Sequence, residues 1–161
     1  GTGGRFVAAK TEKDALTVPG FLLDMPAVVE EWTRSQLRSQ WGLTELQMPS
    51  TPDRHLWLDT GRRIKLLPDL TVKECGEWRF VGDVKYKRFP KEGVLRQDIH
   101  QLLTYMVGTG LDQGTLIYVG EQGKDVSHRF ALQDKRINAV SVDLSLENPS
   151  DQLRAKLPAP G

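Results

Sequence analysis

Apolar and polar residues along the chain follow two periods, one helical and one extended. DMPAVVEEWTRSQLRSQWG, residues 24–42, carries the punctuation of a helix. Asp24 can cap it, Pro26 falls in the first turn, Glu30 and Arg34 form an i,i+4 pair, and Gly42 stops it. Three extended runs follow, HLWLDT, RIKLLPDLTVKE and EWRFVGDVKYKRF, separated by the turns TGRR and ECGE, which predicts an antiparallel meander. VLRQDIHQLLTYMVG predicts a second helix, with Ile99, Leu102, Leu103 and Met106 at i, i+3, i+4 and i+7 and Gly108 or Gly110 closing it. TLIYVG is a short buried strand that returns parallel to its neighbour after the helical crossover. HRFAL and INAVSVDLSL are later strands, and NPSDQLRAKL is a terminal helix with Ser150 as its cap. Helix, three strands, helix, strand is an α/β order with a central mixed sheet.

Alternation along the strands sorts side chains onto faces. In the third extended run Trp78, Phe80, Val84 and Tyr86 point one way, and Arg79, Val81, Asp83, Lys85 and Lys87 the other. In the run before it, Ile64, Leu66, Leu70 and Val72 share a face, while Lys65, Asp69, Thr71 and Lys73 share the opposite one. A hairpin centred on Gly76 pairs 73 with 79, 71 with 81 and 69 with 83, so Asp69 lies directly opposite Asp83 and beside Lys85. Facing carboxylates have Cβ atoms about 5 Å apart and repel one another. The pair makes sense if one acid is protonated or if a cation sits between them. Mg²⁺, for which Mn²⁺ can substitute, favours carboxylate oxygens and keeps part of its water. A metal-activated water can attack phosphorus, and a lysine alongside can orient that water or hold the phosphate.

Composition narrows the class. At 161 residues, 39% apolar and 27% charged, the chain is one ordinary domain with a real core, spanning 21–161 after an N-terminal extension or linker at 1–20. The opening GTGG is either a cloning remnant or a native loop and is left out of the fold reasoning. A single cysteine, Cys75, excludes an intrachain disulfide and a cysteine metal cluster and points to a reducing cytoplasm. No run of about 18 apolar residues suggests a membrane span. The net charge is only +1, but residues 61–96 hold ten Lys/Arg against five acids, which suits a polyanion partner near a cation site.

The order of blocks carries a resemblance. An acid in the first helix, Pro68-Asp69, Asp83-Val84-Lys85 and then Gln101-x-x-x-Tyr105 resembles the PD-(D/E)XK nuclease superfamily over roughly residues 25–120. More narrowly, FLLDMPAVVEEW, LLPDLTV, VGDVKYK and DIHQLLTYM are similar to consecutive blocks of the McrC family, the nuclease subunit of the McrBC modification-dependent (type IV) restriction systems, and INAVSVDLSL to its closing strand. The resemblance implies a restriction-endonuclease-like fold and metal-dependent endonucleolytic cleavage of DNA. It implies Asp69 and Asp83 as metal ligands, the main-chain carbonyl of Val84 as a third, Lys85 as the catalytic lysine, and Glu30 as a helix acid that binds metal directly or through water. Gln101 and Tyr105 would position substrate or water. An McrB-like AAA+ GTPase motor would be the partner, engaged through a region absent from this chain, and two copies could pair to cut both strands. One departure is Val29, where the family more often has an aromatic residue.

Other chemistries find no support. His55, His100 and His128 lack zincin or deaminase spacing, and there is no P-loop, G-x-G-x-x-G or G-x-S-x-G. Trp32, Trp41, Trp57 and Trp78 could stack on bases, but their amphipathic settings favour packing. The alternative function is a catalytically silent nuclease-fold module that binds DNA or docks a partner; two facing carboxylates are hard to explain in it.

Overall fold

The computed structural model describes residues 15–18, 21–51, 56–88, 90–91, 94, 96–121, 123–130 and 133–161, with side chains from Leu23 onward. Strands β1 (Ala15–Val18) and β2 (Phe21–Asp24) form a two-stranded antiparallel hairpin that leads into helix α1 (Met25–Gln40). Then come β3 (Leu70–Glu74), β4 (Glu77–Tyr86), α2 (Arg96–Thr109), β5 (Gln113–Gly120), β6 (Val126–Arg129), β7 (Arg136–Asp143) and α3 (Pro149–Lys156). The main sheet has the order β3-β4-β5-β7-β6; its outer pairs are antiparallel, and β4/β5 and β5/β7 are parallel. The mixed sheet and the parallel return after the second helix are as the apolar pattern predicts. Among the described residues no helix is long and apolar enough to cross a membrane.

Two apolar clusters cover the two faces of this sheet. Leu70, Val72, Ile117, Val119, Val140 and Val142 pack with Val29 and Leu37 of α1 and Leu153 of α3. Val81, Leu116, Tyr118, Ile137 and Ala139 pack with Leu102, Tyr105 and Met106 of α2. Successive β5 residues therefore alternate between the layers, as a strand buried on both faces must.

Local chemistry explains most boundaries. The Asp24 carboxylate accepts a hydrogen bond from the Ala27 N–H at 3.3 Å, capping α1 ahead of its first-turn proline. Gly110, with φ +74°, closes α2, its N–H reaching the Met106 carbonyl at 2.9 Å. The expectation for α3 is corrected: Asn148, not Ser150, occupies the cap position, and Ser150 lies inside the first turn because Pro149 already begins the helix.

The expected three-strand meander is also corrected. Of HLWLDT only Trp57 pairs, with Lys65, in a small hairpin outside the main sheet, and His55 lies outside the described residues. Pro68 breaks RIKLLPDLTVKE, so β3 begins only at Leu70. Consequently Leu66 joins the α2 layer and Ile64 is exposed, whereas Leu70 and Val72 join the α1 layer.

The β3–β4 hairpin turns on Cys75 (φ +50°) and Gly76 (φ +79°), a two-residue loop that closes on the Glu74–Glu77 pair. Thr71 faces Val81 as expected, but Lys73 faces Trp78 rather than Arg79. Arg79 is an extra bulge residue, and it reverses the alternation beyond it. Trp78 therefore packs on the α2 layer with Val81, while Phe80, Val84 and Tyr86 pack on the other. The assigned extension at 1–20 contains β1, which pairs with β2; residues 1–14 lie outside the described residues.

Candidate active site

Below the bulge the hairpin register brings Leu70 opposite Gly82, so Asp69 sits just outside β3, at the level of Asp83 on β4. Two contacts hold Asp69 there. Its main-chain carbonyl accepts a hydrogen bond from the Arg34 guanidinium of α1 at 2.8 Å, and its carboxylate accepts the Val84 N–H at 2.9 Å. The N–H and C=O of a strand residue leave the chain on the same side, so the Val84 carbonyl also faces this edge, past the start of β3. Pro68 ends the β3 ladder and lets an acid take the place of the next backbone partner.

Asp83 is 2% exposed, on the α2 side of β4. Lys85 Nζ lies 2.5 Å from its Oδ2, a direct ammonium–carboxylate pair that offsets this buried charge. The same ammonium donates to Gln101 Oε1 of α2 at 2.7 Å. Gln101 Nε2 in turn donates to the Tyr105 hydroxyl at 3.0 Å, and that hydroxyl reaches the Leu67 carbonyl at 3.5 Å. Asp69, Asp83, Val84, Lys85, Gln101 and Tyr105 are thus brought to one edge of the sheet beneath α2.

Glu30 is placed differently. Its carboxylate is held by Arg34 at 2.6 Å, and Glu31 grips the same guanidinium at 2.5 Å. Arg34, 2% exposed, is the buried link from α1 to Asp69 rather than a solvent-face partner of Glu30. Glu30 remains close enough to raise the proton affinity of Asp69.

The electrostatics follow from this crowding. Burial pushes the Asp69 carboxyl well above the usual carboxylate range, to about 8; Asp83 adds to the rise, and the Val84 N–H only partly offsets it. For Lys85 burial acts downward, but Asp83, then Asp98 and Asp69, outweigh it and hold the ammonium above the usual lysine range. Burial raises the Tyr105 hydroxyl, with Asp83 contributing and the Gln101 hydrogen bond opposing.

Asp98 was missed in the sequence. It is 3% exposed in the first turn of α2, accepts the Tyr118 hydroxyl at 2.7 Å, pairs with Lys87 at 2.9 Å and stands 4.0 Å from Lys85. Helical spacing held the signal, because 98, 101 and 105 fall at i, i+3 and i+7 and share one face. Arg34 carried no comparable signal: an i,i+4 partner of glutamate reads as an exposed pair.

The donor set suits a small hard cation. Two carboxylates converge at the site, one paired with the Lys85 ammonium and the other pushed toward its protonated form by burial and by the neighbouring Asp83. Among the described residues no three His, Cys, Asp or Glu side chains cluster closely enough to cage a metal. An ion between Asp69 and Asp83, with the Val84 carbonyl beside them, would therefore keep much of its water, which is the habit of Mg²⁺.

Comparison with known proteins follows the same lines. A solved structure of a refined half-complex from the tetradecameric assembly of Thermococcus gammatolerans McrB AAA+ hexamers with bound McrC contains a chain of similar fold. The two are 16% identical with a TM-score of 0.59, over 86% of this chain and 34% of the other, so this chain spans about a third of that one's length. No curated protein matches the sequence. Residues 7–119 match the family described as the McrBC 5-methylcytosine restriction system component, and the chain belongs to that family.

Proposed function

We propose that this chain is the nuclease domain of an McrC-like protein, a metal-dependent endodeoxyribonuclease of PD-(D/E)XK type that hydrolyses phosphodiester bonds in modification-dependent restriction. The observation that carries the reading is the pair Asp69 and Asp83, two carboxylates converging at the sheet edge with Lys85 two residues beyond the second. A bound Mg²⁺ or Mn²⁺ would neutralise charge on the phosphate and lower the pKa of a water at neutral pH. Asp69, Asp83 and the Val84 carbonyl would hold it, and Glu30 could join through water once released from Arg34.

The remaining residues act around that centre. Lys85 is held protonated by its acidic neighbours, so it serves as a fixed cation toward a phosphate oxygen and as a proton donor rather than a free base. Gln101, anchored by Tyr105, fixes the ammonium so that little reorganisation is needed when substrate arrives. By its likeness to the chain in the McrB–McrC assembly, the natural partner would be an McrB-like AAA+ GTPase, and the substrate DNA. A cytoplasmic setting and pairing of two copies for double-strand cleavage belong to the same proposal.

The test is cleavage of plasmid DNA in Mg²⁺ or Mn²⁺ by this chain within its full-length protein, with the partner motor and GTP present. Asp83→Ala should abolish nicking and linearisation while leaving the melting profile of a folded protein. A variant that cuts at the wild-type rate would overturn the assignment.

A further inference from the structure

The basic segment 61–96 resolves into two kinds of cation. Lys85 is paired with Asp83, Lys87 with Asp98, Arg79 with Glu77 and Arg88 with Glu121, and Lys73 lies over the Trp78 ring at 4.5 Å. Arg62, Arg63, Lys65, Lys91 and Arg96 are exposed and have no carboxylate partner among the described residues, and of these Arg62 and Arg63 stand side by side in the chain. These two sit at the tip of the small hairpin that replaces the expected first meander strand.

That hairpin is built to hold its tip. Leu58 N–H bonds the Ile64 carbonyl at 2.9 Å and Leu66 N–H the Leu56 carbonyl at 3.0 Å, while Lys65 rests 5.2 Å from the Trp57 ring centre. Its carboxylate, Asp59, is spent on the backbone, accepting the N–H groups of Arg63 and Ile64 at 2.9 and 2.8 Å. Arg62 takes the left-handed conformation, φ +55°, with its N–H on the Asp59 carbonyl at 3.1 Å. The base is anchored on α2, where Leu66 packs so closely that a Cβ on Gly108 would come within 2.5 Å of its Cδ1. The strand then runs directly through Leu67 and Pro68 into Asp69.

We propose that this hairpin is a preorganised arm that grips the phosphate backbone of duplex DNA beside the cleavage site, through Arg62 and Arg63, with Lys65 in support. The inference rests on the nuclease reading and deepens it by naming where the duplex is held. Six residue steps lead from Arg63 to Asp69, so the two backbones lie within about 20 Å of each other even if the chain were fully extended. A duplex that has its scissile phosphate at Asp69 and runs toward the arm would meet it within about six base pairs. Guanidinium groups suit phosphate oxygens, and such contacts fix position without reading sequence. Because Asp59 and the anchored base hold the loop already, little ordering is left to oppose binding.

The experiment is fluorescence anisotropy of a labelled 30-base-pair duplex with this chain in EDTA, titrated at several salt concentrations. Wild type, Arg62→Gln/Arg63→Gln and Arg154→Gln, a cation on α3 paired with Asp151, are compared. If the arm grips two phosphates, the double variant loses on the order of tenfold in affinity and its log K against log salt slope becomes shallower by about 1.8. Its melting temperature and Mn²⁺ titration stay as in wild type, and Arg154→Gln changes little. A double variant with wild-type affinity and slope overturns the arm while leaving DNA binding intact, as does an equal loss in Arg154→Gln, which would assign the effect to overall charge. A wild-type chain with no salt-dependent duplex binding would overturn the arm together with DNA binding by the isolated domain, and Mn²⁺ binding would still report on the catalytic site separately.

Discussion

Asp69→Asn isolates the electrostatic argument at the site. The asparagine keeps the shape and the oxygen that accepts the Val84 N–H, but it cannot titrate. In the metal-free wild type Asp69 binds its proton up to about pH 8, against an ordinary value of 3.8 in the unfolded chain. A folded-state pKa above the unfolded one gives stability that is fully present below the unfolded value and is lost as pH rises through the folded value. Between those limits the loss is about 1.4 kcal/mol per pH unit, so from pH 5 to pH 7 this one group removes up to about 3 kcal/mol. Partial contact with water makes that an upper figure. At this chain length it corresponds to a fall of roughly 6–12 °C in melting temperature. The assay is thermal or urea unfolding in EDTA at pH 5, 6, 7 and 8 for both proteins, read as the difference between them so that other titrating groups cancel. The variant should gain on the wild type steadily from pH 5 to 8. Parallel stability curves would refute the claim that burial and the neighbouring Asp83 hold Asp69 protonated in the metal-free fold. The same linkage predicts that Mn²⁺ binding to wild type at pH 7 releases close to one proton, measurable by calorimetry in two buffers of different ionisation enthalpy.

Lys85→Met should lower the cleavage rate by at least a hundredfold while Mn²⁺ affinity is kept or rises, since a competing cation has been removed; a large loss of Mn²⁺ affinity would mean the lysine builds the metal site instead. Asp98→Ala removes the carboxylate that pairs with Lys87 and accepts the Tyr118 hydroxyl and should cost about 2 kcal/mol in urea unfolding, less than for a fully buried pair because the Lys87 side chain is 34% exposed. Asp98→Asn, which still accepts the Tyr118 hydroxyl, should cost less than Asp98→Ala, and equal losses would argue against that hydrogen bond.

Much of the architecture was legible because strong local signals agreed with the tertiary packing. The Asp24–Pro26 start of α1, the apolar stripe of α2 and the buried run of β5 each follow from one period and one cap. The McrC resemblance read from the order of blocks is borne out by the family match. Less was legible where one residue changes the phase. The Arg79 bulge moves Trp78 to the other face, and Pro68 delays β3, neither of which alternation can reveal. Yet the register on the far side of the bulge still sets Asp69 level with Asp83, because the two-residue turn and the bulge shift the pairing by compensating amounts. The burial of Arg34 and Asp98 was illegible for a different reason: charged residues at helical spacing look alike whether they face water or a site, and only the packing of α1 and α2 against the sheet distinguishes them.

The central claim is that a divalent cation belongs between Asp69 and Asp83. Calorimetric titration of Mn²⁺ into this chain and into Asp83→Ala tests it without any need for a motor or DNA. Saturable binding in the wild type that disappears in the variant is the expected result. Binding of equal strength in both, or none in either, would contradict the account and leave Lys85 a surface charge beside an acid pair of no catalytic use.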